Sequence, residues 1–92
     1  MTLAMMPMLA AGCDADGTHQ VRGQVVEVVP RSFSELDLLK IRGDDGKLYA
    51  FETEGFVGFT PSHVREHQFL GQTLLVTYEK RGNTLVATSL ED

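Results

Sequence analysis

Cysteine is almost missing from this chain, tryptophan is missing altogether, and basic residues are outnumbered by acidic ones. One thiol in 92 residues excludes an intramolecular disulfide and any zinc or iron–sulfur centre built on several thiolates. Eight Lys and Arg against thirteen Asp and Glu leave a net charge of −5. That balance counts against a dedicated nucleic-acid binder, whose affinity rests on neutralising phosphates. The longest apolar opening, residues 1–12, falls well short of the ~20 residues that a membrane-spanning helix needs. A chain this short buries only about 60–65% of its unfolded surface, which argues against a large enzyme with a deep interior cleft. What remains is the balance of a soluble globular chain, 42% hydrophobic and 23% charged, enough for one small domain. No internal repeat and no low-complexity segment breaks it.

The lone cysteine is informative by position. Residues 1–12 carry no charge, Cys13 follows, and Asp14, Asp16 and Gly17 then mark a polar tether over residues 13–17. Small residues just before such a boundary suit a signal-peptide cleavage site. The stretch Leu9-Ala10-Ala11-Gly12-Cys13 resembles the lipobox of bacterial lipoproteins. It differs from that family at Ala10, where Leu is usual, and in having no Lys or Arg ahead of the apolar run. The resemblance implies cleavage before Cys13 and a diacylglycerol on its thiol. It further implies a cell-envelope address, with the domain membrane-anchored and facing the periplasm.

From Thr18 onward the pattern is that of strands. Gln20–Val29 is valine-rich, and its apolar residues change parity at Val25–Val26, which predicts a β-bulge. Leu36–Arg42 and Lys47–Thr53 flank Gly43-Asp44-Asp45-Gly46, a hairpin signal. Thr60-Pro61 is a helix start, with a hydroxyl at the N-cap and proline at the first helical position. Gly71 supplies the stop after about Leu70. Two further strands, Gln72–Lys80 and Thr84–Leu90, turn at Arg81-Gly82-Asn83. The expected core is Val21, Val25, Val28, Leu38, Ile41, Phe51, Val64, Leu74, Val76 and Val86.

Three strands, a short helix and two strands over residues 18–92 resemble the OB-fold. The expected class is therefore mainly β, a five-stranded Greek-key barrel with one helix between its third and fourth strands. An SH3-like barrel ranks second, because such barrels usually carry only a single helical turn.

Chemistry concentrates on the helix. His63 and His67 stand four residues apart, on one face and one turn from each other, a spacing that suits a divalent transition metal such as copper or zinc. The letters of His63-Val64-Arg65-Glu66-His67 also match the H-x-x-E-H pattern of much larger metalloproteases. A Pro-capped short helix on a small barrel does not suit that reading. A two-histidine site needs a third ligand; Glu66 points off the shared face, about 100° from His67, and His19 is placed in the tether before the barrel. The plainer arrangement has one imidazole packed on the barrel and the other in solvent. A second surface, the face that OB-folds use for ligands, draws on Arg31, Phe33, Lys40, Arg42, Lys47, Tyr49 and Phe51. Bases and aromatics in that mixture suit single-stranded nucleic acid, but Asp44, Asp45, Glu52 and Glu54 lie alongside and repel phosphate. The aromatic connector Phe56-Val57-Gly58-Phe59 serves either the core or a partner. No acid–base–nucleophile set can be assembled, so the expectation is a non-catalytic binding or accessory module of the envelope. Its expected partner is a protein or small ligand, with copper or zinc binding and nucleic-acid binding as alternatives.

Overall fold

The computed structural model describes residues 17–92. The lipobox-like segment and Cys13 lie outside the described residues. Five strands, β1 (His19–Pro30), β2 (Leu36–Gly43), β3 (Leu48–Thr53), β4 (Thr73–Arg81) and β5 (Thr84–Glu91), form a closed barrel in the order β1-β2-β3-β5-β4. A single helix, α1 (Pro61–Leu70), joins β3 to β4. This is an OB-like barrel. Strand β1 is long enough to pair with both β2 and β4, and a parallel β3–β5 contact completes the ring. Closure leaves no open sheet edge, which matters for a domain with so little interior.

The parity change in β1 is a bulge: Val25 pairs with Ile41, and Glu27 pairs with the adjacent Lys40. Val26 is the extra residue, and it turns outward. Gly23 lets β1 and β2 approach closely, since a Cβ there would lie 2.3 Å from the Arg42 carbonyl oxygen. The barrel needs that contact where β1 passes from one neighbour to the other.

The core contains Val25, Leu36, Leu39, Ile41, Phe51, Val57, Val64, Leu74, Val76, Tyr78, Val86, Ala87 and Leu90. Three expected members sit differently. Leu38 is half-buried while Leu36 and Leu39 are fully enclosed. The reason is a second irregularity between Val29 and Pro30, whose partners are Leu38 and Leu36. Asp37 is thus an extra residue on β2, and the inward set changes phase around it. Val21 and Val28 are half-buried and pack on the margin of the core.

Helix α1 begins and ends as its residues dictate. The Thr60 side chain accepts a hydrogen bond from the His63 backbone N–H, and Pro61 fills the first turn. Gly71 closes the helix in the left-handed conformation (φ 71°), which glycine adopts without a Cβ penalty. Pro61, Val64 and His67, spaced by three, form the buried stripe. The same stripe that seats the helix therefore carries an imidazole into the protein. Gln68 Nε2 donates to the Val26 carbonyl (2.8 Å), tying α1 to the bulge in β1.

Candidate metal centre

His67 is 6% exposed although it lies near the end of a surface helix. Its burial is balanced on both sides of the ring. Nδ1 is 3.2 Å from the Thr73 carbonyl oxygen; a carbonyl only accepts, so Nδ1 carries the proton. Nε2 faces the Asp92 carboxylate, with Oδ1 at 3.0 Å; an ionised carboxylate also only accepts, so a hydrogen bond there uses a proton on Nε2 that a metal ion has to replace. A backbone carbonyl accepting from one ring nitrogen is how metal-ligating histidines are commonly oriented.

His63 stands one turn earlier on α1, its ring centroid 5.2 Å from that of His67 and nearly parallel to it (26°). Phe59, at the end of the connector, packs against both imidazoles with centroids 4.2 and 5.5 Å away. Asp92 arrives by strand pairing: Glu91 lies opposite Leu75 in the β4–β5 ladder, which carries the next residue level with Leu74, one residue from Thr73. Arg22 fixes it there, donating to the Asp92 carbonyl (3.2 Å) and to Thr73 Oγ1 (3.1 Å).

One ligand atom each from His63, His67 and Asp92 therefore fall within 4.8 Å of one another. Donors held at 2.0–2.1 Å around a tetrahedral ion lie about 3.3 Å apart. The His67–Asp92 pair is already close to that edge, and the remaining adjustment belongs to two flexible groups. His63 is exposed, and the Asp92 side chain is 79% exposed, so both have room to turn toward a shared ion. His67 need not move. The three open onto a cleft of about 540 Å³ lined also by Arg22, Glu66, Gln72 and Thr73.

One imidazole packed and one solvated is the arrangement that the sequence gives for the plain case, and it coexists here with convergence on a carboxylate. The third ligand was not foreseen. Glu66 lines the cleft without joining the triad, and His19 stacks on Tyr78 (5.3 Å) at the far end of β4 from Thr73. Asp92 is missed because it is 25 residues from His67 in sequence and is delivered only by the β4–β5 register.

The other sequence-selected residues fall into separate places. Arg31 and Phe33 share a groove of about 560 Å³ with Pro30, Ser32, Pro61, Ser62 and Arg65, on a different face of α1. Phe33 is 99% exposed there. Arg31 is partly spent on Glu35 (3.4 Å), Asp37 (3.3 Å) and the Thr53 carbonyl (3.1 Å). The connector divides: Val57 is in the core, Phe59 is half-buried beside the histidines, and Phe56 is exposed. On the β2–β3 face Arg42 is exposed and Lys40 pairs with Glu27 (3.4 Å), while Phe51 is fully enclosed in the core. Tyr49 packs on the core and donates its hydroxyl to Asp45 (2.5 Å). That bond pushes the Tyr49 pKa up to about 12 and holds the Asp45 carboxyl below its ordinary value.

Comparison of the chain with family models, curated proteins and solved structures finds no match to any of them.

Proposed function

We propose that this protein is a non-catalytic binding module of a bacterial cell envelope, and that the ligand it takes is a divalent transition-metal ion held by His63, His67 and Asp92. One observation carries the metal reading: the Nδ1–H of a nearly buried histidine is committed to the Thr73 carbonyl, and its Nε2 faces a carboxylate beside a second imidazole. Two neutral imidazoles and one carboxylate suit copper(II) or zinc, and the general affinity order places copper ahead of zinc. The address rests on the lipobox-like run ending at Cys13. A lipid on that thiol would hold the barrel at the membrane by a short polar tether.

A second, separate surface is favoured by Phe33, a large aromatic left fully in solvent beside Pro30 and Pro61. Such a side chain suits an apolar contact with an envelope protein or small ligand. Single-stranded nucleic acid ranks below both. Phe51 offers no ring for base stacking, Tyr49 is held to Asp45, and the net charge is −5.

Calorimetric titration of the full chain with copper(II) and zinc tests the metal reading. A 1:1 endpoint lost in the His63→Ala/His67→Ala variant is expected; no heat at micromolar protein contradicts it. The address is tested by intact-mass spectrometry after expression in a bacterium with the native upstream DNA. Loss of residues 1–12 with lipid added at Cys13 is expected, and an unmodified chain contradicts it.

A further inference from the structure

We infer that the metal centre takes its ion together with a small anion, which fills the coordination position left open by the protein and is paired by the Arg22 guanidinium. This inference rests on the metal reading above and names what else that site binds.

Access is the first argument. The cleft is open to solvent over most of its boundary, so a small anion can reach an ion held there from outside. Coordination is the second. Three protein donors leave at least one position free in a four-coordinate ion, the arrangement of sites that exchange ligands and not of closed structural ones. The exposure of His63 and Asp92 places that free side toward solvent and the cleft, because His67 closes the opposite side.

Charge is the third. A divalent ion with two neutral imidazoles and one carboxylate keeps a net positive charge. Arg22 lines the same cleft and adds another. Its guanidinium offers five N–H donors, of which one reaches Thr73 Oγ1 and one the Asp92 carbonyl. Those two bonds fix the planar group beside the triad, and an oxyanion is the natural acceptor for the remaining N–H groups. Glu66 is the opposing feature. Its carboxylate lines the cleft and competes with an incoming anion, either by repulsion or by taking the free position itself.

The test uses the full chain loaded with copper(II) and titrated with azide, read by the azide-to-copper charge-transfer absorption. Saturable 1:1 binding is expected, with acetate as a competitor. Arg22→Met should weaken azide at least about tenfold, the scale of a lost charge-assisted hydrogen bond, measured with copper saturating so that any loosening of Asp92 is kept apart from the loss of the anion's partner. Arg22→Lys keeps the charge without the directed bonds and serves if Arg22→Met does not fold; it should weaken azide less than Arg22→Met does. Glu66→Gln should tighten azide. The inference is overturned, with the metal reading intact, if copper binds but no azide band develops. It is equally overturned if the band develops only in Glu66→Gln, which makes Glu66 the fourth ligand, or if both Arg22 variants bind azide as the natural chain does. Absence of copper binding by the natural chain removes both readings together.

Discussion

Helix α1 borders two clefts of nearly equal volume, about 540 and 560 Å³, and they differ in what their polar atoms do. On one face of the helix His67, Asp92, Thr73 and Arg22 are linked by hydrogen bonds, and His63 joins them within ligand distance. On another face Phe33 stands free and Arg31 turns to Glu35, Asp37 and the Thr53 carbonyl. Volume does not separate the two. Convergence does: one face concentrates donors on a point, and the other offers an apolar ledge suited to a broad contact.

The largest expected effect breaks both clefts at once. Phe51 is fully buried at the centre of the core, so Phe51→Ala should cost about 3–5 kcal/mol. Urea denaturation should show the midpoint fall steeply, and the copper site and the Phe33 ledge should be lost together.

Next comes the variant that separates the two faces. His67→Ala should reduce copper affinity by at least about a hundredfold, because it removes the one ligand already oriented by its second nitrogen. Phe33→Ala should leave copper affinity unchanged in the same competition titration. Equal losses in the two variants would mean that the two clefts are not independent.

A smaller effect tests the close approach that shapes the barrel beside the metal centre. Gly23→Ala puts a methyl 2.3 Å from the Arg42 carbonyl oxygen and should destabilise by about 1–3 kcal/mol. A denaturation midpoint equal to that of the natural chain would contradict the strand geometry proposed at this point.

The hairpin between β2 and β3 tests a polar contact that neither cleft uses. Tyr49 ionises at about 12 because its hydroxyl donates to Asp45. The folded pKa lies above the ordinary 10.0, so this bond supports the fold fully below pH 10 and is lost as pH rises through about 12. Asp45 has the opposite sign: its pKa is held below the ordinary 3.8, so its contribution is present above that value and lost as pH falls. In a Tyr78→Phe background, phenolate absorbance should develop near pH 12, and Asp45→Asn should move it toward 10. The smallest effect is that of Phe33→Ser on stability. The side chain is 99% exposed, so a change within about 0.5 kcal/mol is expected by urea denaturation.

Much of the barrel is legible in the residues themselves. The parity change at Val25–Val26, Thr60-Pro61 and Gly71 are local signals, and each acts within a few residues. The second bulge at Asp37 carries no such signal, because Leu36, Leu38 and Leu39 fit more than one alternation. His63 and His67 are legible as a pair since helix geometry alone sets them together. Asp92 is not, because its place depends on the pairing of β5 with β4. Arg22 is hidden for the same reason, reaching the cleft from β1 through its bonds to Thr73 and Asp92. Chemistry within one turn of a helix can be read along the chain, while chemistry assembled across strands requires the register.

The central claim is most directly tested by an anomalous difference map at the zinc edge from crystals of the zinc-loaded full chain. A single peak is predicted about 2.0–2.2 Å from His67 Nε2, with His63 and Asp92 at similar distances and Nδ1 of His67 still bonded to the Thr73 carbonyl. A map with no peak between α1 and the end of β5, or a peak elsewhere that His67→Ala leaves unchanged, would contradict it.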